Sequence, residues 1–529
     1  MADAVAPSLA RRAPLTTPWL AIMMLAVFAL QIALYAESFH VKPVDDDFAP
    51  PLADMWRAQV EGPWVLFTNA NQPLNYRPLQ SLTMWMFAGI SVEHQEFWIR
   101  VMHIVGMAVF AWAAALWFRA MPISRTAALI GAIILFVHPA MVAPFASIDG
   151  YGGLFSTGLM WMSVYAVWAW RDRLWVGLPI ALTTFLLAFG FKEYSLGAVP
   201  LACLSVLCFA RSAGEGLRRA VVVGACFSAI VLAMMWVRTL TMPPGAGMGY
   251  FKPDPVQWLK NATLFGAVLT FPGSSTWVFL NRGPATYAIT GAAALITTLT
   301  LLVGLLCRWR TAGTASPTTP DAAATENDDV RRWLIFSALA LVGASFPAVL
   351  IFHVSEMYAL GMVVPLAMLA ALATDGFAAV GGVRRAVALA VLMCTVVWMA
   401  FAVRAKVSDL RDTGELSVMQ LEQILAMLPP DARDLTVAVW YPPHPTPPPK
   451  YSVYVSPDDV VCRREHALNW LRPHRNLRLE FPEHLEDALA RADDYALILR
   501  WNRAEQKMER VPAGLPPQTS PATVPRSES

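Results

Sequence analysis

Apolar runs of about 17–24 residues recur along the first four-fifths of the chain, and each is long enough to cross a hydrocarbon layer of roughly 30 Å. They fall near 18–36, 98–118, 125–142, 153–170, 174–190, 195–210, 220–237, 285–307, 333–352, 357–374 and 386–403. A chain that is 56% hydrophobic and only 15% charged does not partition into the apolar core and polar shell of a water-soluble protein. The pattern predicts an all-α polytopic membrane protein with about eleven transmembrane helices and a small C-terminal α/β domain. Segment 262–281 is also apolar, but Pro272, Gly273, Ser274 and Ser275 interrupt it, so it is read as re-entrant or surface-lying.

Arginines set the orientation. Arg11 and Arg12 precede the first run, and Arg119 and Arg125 separate the second from the third. Arg171 and Arg173, then Arg211, Arg218 and Arg219, then Arg308, Arg310, Arg331 and Arg332, and finally Arg384 and Arg385 mark every second connection. That alternation is the positive-inside pattern; it predicts a cytoplasmic N-terminus and a C-terminus on the far side. The first run ends in Ala-Leu-Tyr-Ala, which matches a signal-peptidase site, but it is long for a signal segment and reads as an uncleaved anchor. A formal net charge of +2 gives no reason to expect nucleic acid. The six cysteines show neither disulfide nor zinc spacing and read as small packing residues. An Arg- and Ala-rich composition without exported disulfides fits a bacterial inner membrane, which makes the far side periplasmic.

The expected organisation is a cytoplasmic N-terminus (1–17), a membrane body (18–403), an exported C-terminal α/β domain (404–510) and a disordered tail (511–529). A linker-like cytoplasmic loop is expected at about 311–330. The C-terminal domain should open with an amphipathic helix around Leu416–Leu425 and contain strands at 435–440 and 495–501.

The long first outer loop, 37–97, concentrates unusual residues. Asp45, Asp46 and Asp47 repel one another just beyond the first run; a solvated acidic turn accounts for them as well as a cation or a substrate hydroxyl does. Tyr76 and Arg77 precede Pro78 and the amphipathic stretch SLTMWMFAGI, where a guanidinium suits either a lipid phosphate or an interfacial anchor. Polar groups also sit where polarity is costly: His103, His138, Asp149, Lys192 with Glu193, Arg238, His353, and Glu356 with Tyr358. Each singly is as well explained by helix packing. Their clustering toward one outer face carries more weight.

Taken in order, the paired aspartates, Tyr76-Arg77-Pro78-Leu79, His103, Phe136-Val137-His138-Pro139, Asp149-Gly150-Tyr151, Lys192-Glu193 and Glu356-Met357-Tyr358 resemble the GT-C superfamily of polyprenol-dependent glycosyltransferases. The chain looks most like the membrane portion of the transmembrane and tetratricopeptide-repeat O-mannosyltransferases and their bacterial relatives, with protein O-mannosyltransferases more distant. The likeness is firm over 18–210 and thinner to 403. The C-terminal domain lacks it, and Met357 stands where the late motif has arginine.

The resemblance implies inverting sugar transfer from a polyprenyl-phosphate donor to a hydroxyl of a glycan, lipid or protein at the bilayer surface. Asp46 is then the expected base, with Asp45 and Asp47 as neighbours. Arg77, Lys192 or Arg238 would hold the donor phosphate, and Tyr76, His103, His138, Asp149, Glu193, Glu356 and Tyr358 would contact donor or acceptor. Some superfamily members use a divalent cation; Asp45 and Asp47 could ligate Mg²⁺ or Mn²⁺, though no full ligand set is visible. A lipid-linked-sugar flippase or transporter fits less well, because a through-path needs polar groups at mid-membrane and on both sides. A non-catalytic assembly protein leaves the aspartates unexplained. The topology predicts that a cysteine placed near residue 5 is labelled by impermeant reagents only after membrane lysis, whereas one near 520 is labelled in spheroplasts. The opposite pattern would invert the assignment.

Overall fold

The computed structural model describes residues 17–43, 61–62, 64, 77–88, 90, 92–241, 254–274, 277–278, 281, 283–311, 320–350, 356–379, 382–443, 465–472 and 475–512. The helices are α1 (Thr17–Leu34), α2 (Pro78–Ala88), α3 (Val92–Ala120), α4 (Arg125–Val137), α5 (Val142–Ala146), α6 (Tyr151–Ala169) and α7 (Leu174–Phe191). They continue with α8 (Ala198–Cys208), α9 (Ala213–Thr241), α10 (Pro255–Thr270), α11 (Pro284–Thr311), α12 (Pro320–Val349), α13 (Leu360–Ala379) and α14 (Gly382–Ala426). Among the described residues, seven helices are long and apolar enough to cross a membrane, or eight if α4 and the Pro139–Ala146 segment form one span bent by 50°.

The described part of each apolar run falls mainly on these helices, with 125–142 divided between α4 and α5. Three fall outside the eight: α1, the segment Glu193–Cys208, and α6. α6 is aromatic and lined with small residues, and most of it is buried against α3 and α7. α13 is buried all round from Leu360 to Phe377, packed against α4, α11 and α12. A helix apolar on every face belongs either in a core or in lipid; α13 has the first setting. The outward residues of α9 and α11 have the second character, since Leu232, Trp236, Leu295 and Leu299 are exposed.

Glycines permit the closest approach. A Cβ on Gly376 of α13 would stand 2.0 Å from the Gly304 carbonyl oxygen of α11. α10 has sixteen residues, buries Asn261, Phe265 and Leu269 along one stripe, and ends before Phe271-Pro272-Gly273.

Two boundaries differ from expectation. Residues 320–330, expected in a loop, begin α12: Pro320 needs no backbone donor at a first helical position, and Ala322–Ala324 favour helix. The amphipathic stretch at 416–425 is no separate helix. It is the end of α14, which runs unbroken for 45 residues.

Beyond α14 lie β1 (Thr436–Trp440), α15 (Ala467–Leu471), β2 (Arg478–Glu480), α16 (Leu485–Ala490), β3 (Leu497–Asn502) and β4 (Lys507–Arg510). The strand order is β2-β1-β3-β4, with β1 parallel to both neighbours and β3 antiparallel to β4. One sheet face (Val437, Val439, Leu499, Trp501) packs on Leu421 and Ile424 of α14, in a cluster that continues into Met84, Ile99 and Tyr151. α2, the N-terminal ends of α3 and α6 and the C-terminal sheet therefore share one apolar core. Of the expected 511–529 tail, residues 513–529 lie outside the described residues, as do 312–319 of the expected loop.

Gly376→Ala should destabilise the protein by about 1–3 kcal/mol through overpacking against Gly304. Thermal unfolding in detergent would show a lowered midpoint, while Gly266→Ala, in α10 with open space around it, should keep or slightly raise the midpoint.

Candidate functional site

α2 starts at Pro78, immediately after Arg77; proline fits a first helical turn, where no backbone donor is required. Glycines then let α2 settle on α6 and α7. A Cβ on Gly190 would meet Leu79 Cγ at 2.8 Å, and one on Gly152 would meet Gln80 Oε1 at 2.8 Å. The Tyr151 hydroxyl donates to the Gln80 carbonyl at 3.0 Å. This docking carries Arg77 to the end of α7, where its Nε donates to Glu193 Oε2 at 3.1 Å. The two side chains are 15% and 25% exposed, so water screens the pair less than it would a surface ion pair.

α7 ends at Phe191, and Lys192 turns extended. Its carbonyl accepts from Ser156 Oγ at 2.8 Å and Ser195 Oγ at 3.1 Å, which replaces the helical partner it has lost. The Lys192 side chain is buried, with its ammonium 5.6 Å from the centre of the Tyr194 ring. Tyr194 meets Tyr358 edge to face at 5.0 Å, placing the Glu356–Ala359 turn beside this junction. Arg77, Lys192, Glu193 and Tyr358 are thus gathered from three distant parts of the sequence.

A second group holds the chain that leaves α1. Arg100 is buried; it donates to the Val41 carbonyl at 2.5 Å and to the Ala146 carbonyl at 2.7 Å. One turn further along α3, His103 has Nδ1 2.8 Å from the Ile99 carbonyl and Nε2 2.7 Å from the Ser147 carbonyl. The backbone that leads into the Ile148–Gly150 turn is therefore pinned at two successive residues. Gly150 is required there, because a Cβ would stand 2.2 Å from the Pro144 oxygen. Lys42 pairs with Glu96 at 2.7 Å, and Arg411 of α14 reaches Glu37 at 3.2 Å. A Cβ on Gly414 would lie 2.5 Å from the Lys42 carbonyl oxygen, so α14 passes directly over this segment.

Aromatic rings connect the two groups. Tyr35 and Phe39 contact Phe145, His103 lies between Phe145 and Tyr151, and Tyr151 leads through Phe155 to Phe191, next to Lys192.

Asp45, Asp46, Asp47, Tyr76 and His353 lie outside the described residues. Asp149 and Glu356 are placed by their backbone only. His138 stands at the bend after α4, fully buried: Nδ1 accepts from the Ala140 N–H at 3.1 Å, and Nε2 donates to the Leu269 carbonyl at 3.2 Å. That makes it the neutral tautomer, with both nitrogens engaged by backbone. Arg238 is half-buried near the end of α9, on a different element from the Arg77–Glu193 pair. Arg100 and Lys406 are buried cations that the sequence reading did not single out. Arg100 was detectable as an arginine inside an apolar run, on the same helical face as His103.

Among the described residues, no group of three His, Cys, Asp or Glu side chains could hold a metal ion. Compared with protein-family models and with curated proteins, the chain matches none.

His103→Phe keeps a ring in place but leaves the buried Ser147 carbonyl with the Gly150 N–H alone. A loss of about 0.5–1.5 kcal/mol is expected, read as a lower unfolding midpoint in detergent. An unchanged midpoint would mean that this carbonyl does not depend on His103.

Proposed function

We propose that the chain is an inverting glycosyltransferase that moves a sugar from a polyprenyl-phosphate donor to a hydroxyl acceptor at the outer face of a bacterial inner membrane. The observation that carries this reading is that buried Lys192 and the Arg77–Glu193 pair fall at successive residues at the end of α7, where α2 docks. Two cations sheltered among apolar helices suit an anion that arrives on a lipid tail. If α1, α6 and α8 are counted as spans with the eight, the arginine pattern would put this junction and the C-terminal sheet on one side, as the reading requires.

In the proposed reaction the acceptor oxygen attacks the anomeric carbon from the face opposite the phosphate. The bond from that carbon to the phosphate oxygen breaks, and its electron pair leaves with the lipid phosphate. The acceptor proton passes to Asp46, with Asp45 and Asp47 as neighbours. Arg77 and Lys192 favour the charge gathering on the leaving phosphate. The clamp that Arg100, Lys42 and Gly414 form around the exit of α1 supports this reading, because it anchors the segment leading to the aspartates. The acceptor is a glycan, lipid or protein hydroxyl, and the C-terminal domain shares a core with the junction's own helices, which suits a role in presenting it.

Membranes containing the wild-type chain, given radiolabelled polyprenyl-phosphate sugars with native acceptors, should transfer label. A stably expressed Asp46→Asn variant should lose about 10²–10⁴-fold of that rate. Equal rates would remove Asp46 as base. Absence of transfer with every donor would favour the transporter reading.

A further inference from the structure

Glu193 has one oxygen engaged and one spare. Oε2 receives Arg77 Nε at 3.1 Å, whereas Oε1 is buried and meets no donor among the described residues. Native proteins rarely leave a buried carboxylate oxygen unmatched, so such an atom beside a cation pair is a candidate acceptor for a ligand's donor. The neighbouring lysine does not fill the place, since its ammonium lies over Tyr194.

The surroundings define the kind of donor. Tyr194 and Tyr358, both half-buried, meet edge to face next to Glu193. A carboxylate repels a phosphate, so the spare oxygen is no part of a phosphate site. A metal ion would need further ligands, and no group of three candidate side chains gathers here among the described residues. A neutral polyol fits best: its hydroxyls donate to the carboxylate while its C–H face packs on phenol rings.

We infer that Glu193 Oε1 accepts a hydrogen bond from a ring hydroxyl of the donor's sugar, so that Glu193 reads the sugar while Arg77 and Lys192 hold the phosphate. The inference rests on the proposed donor class. It divides the junction into two subsites that share one ion pair. Glu193→Gln tests the division, because its amide oxygen can still face Arg77 while its NH₂ replaces the spare acceptor.

The full chain in nanodiscs would be titrated with undecaprenyl phosphate and with undecaprenyl phosphate bearing mannose, glucose, galactose or N-acetylglucosamine. The wild type should bind at least one sugar-bearing lipid about tenfold or more tighter than the bare lipid phosphate. Glu193→Gln should abolish that preference while bare-lipid binding is kept or tightened, because the negative charge beside the phosphate is gone. Glu193→Asp, which keeps the charge but shortens the reach, should also abolish the preference and serves if the glutamine variant does not fold. Parallel weakening of both ligands would overturn the inference, because Glu193 would then act only through Arg77. An unchanged preference would also overturn it, leaving a water molecule at Oε1. A wild type that prefers no sugar-bearing lipid yet binds the bare one overturns the subsite alone; one that binds neither removes the donor class itself.

Discussion

A backbone carbonyl in an apolar interior needs a partner, and helices supply one only while they remain helical. This chain breaks its helices repeatedly at one end of the bundle: after α1, between α4 and α6, after α7 and before α13. Polar side chains meet the exposed backbone at these breaks. Arg100 takes Val41 and Ala146, His103 takes Ser147, His138 bridges Ala140 and Leu269, and Ser156 with Ser195 covers Lys192. Without these bonds the turns that carry the candidate site would have no stable conformation inside the bundle.

Seen this way, the rarity of polar residues in the apolar runs has two causes. Some hold the backbone, and others pair with side chains. His103 and His138 belong to the first kind, since each has both ring nitrogens against backbone groups. Arg77, Lys192 and Glu193 make side-chain contacts with charged and aromatic groups, which suits the second.

The helical architecture was legible because hydrocarbon thickness imposes a length on apolar runs, and seven or eight of the eleven runs appear among the described residues as helices long and apolar enough to span. The strands at 435–440 and 495–501 were legible from their branched and aromatic residues and appear as β1 and β3. Local pattern could not show that α14 continues through 404–426, because nothing in the sequence breaks it once the apolar residues end. Nor could it pair Arg77 with Glu193 across 116 positions, since that contact depends on Leu79 meeting Gly190 and Gln80 meeting Gly152. The polarity of Lys192-Glu193 marked an unusual position without naming Arg77 as its partner.

The passage of α14 over the exit of α1 has a consequence in time. Ribosomes deliver the chain from its N-terminus at roughly 5–20 residues per second. Glu37 bonds to Arg404 and Arg411, residues 367 and 374 positions later. The segment leading to the aspartates therefore waits on the order of tens of seconds for its final support. Until α14 has emerged, a nascent chain can hold nearly all its apolar helices and still lack the partners of Glu37 at the exit of α1.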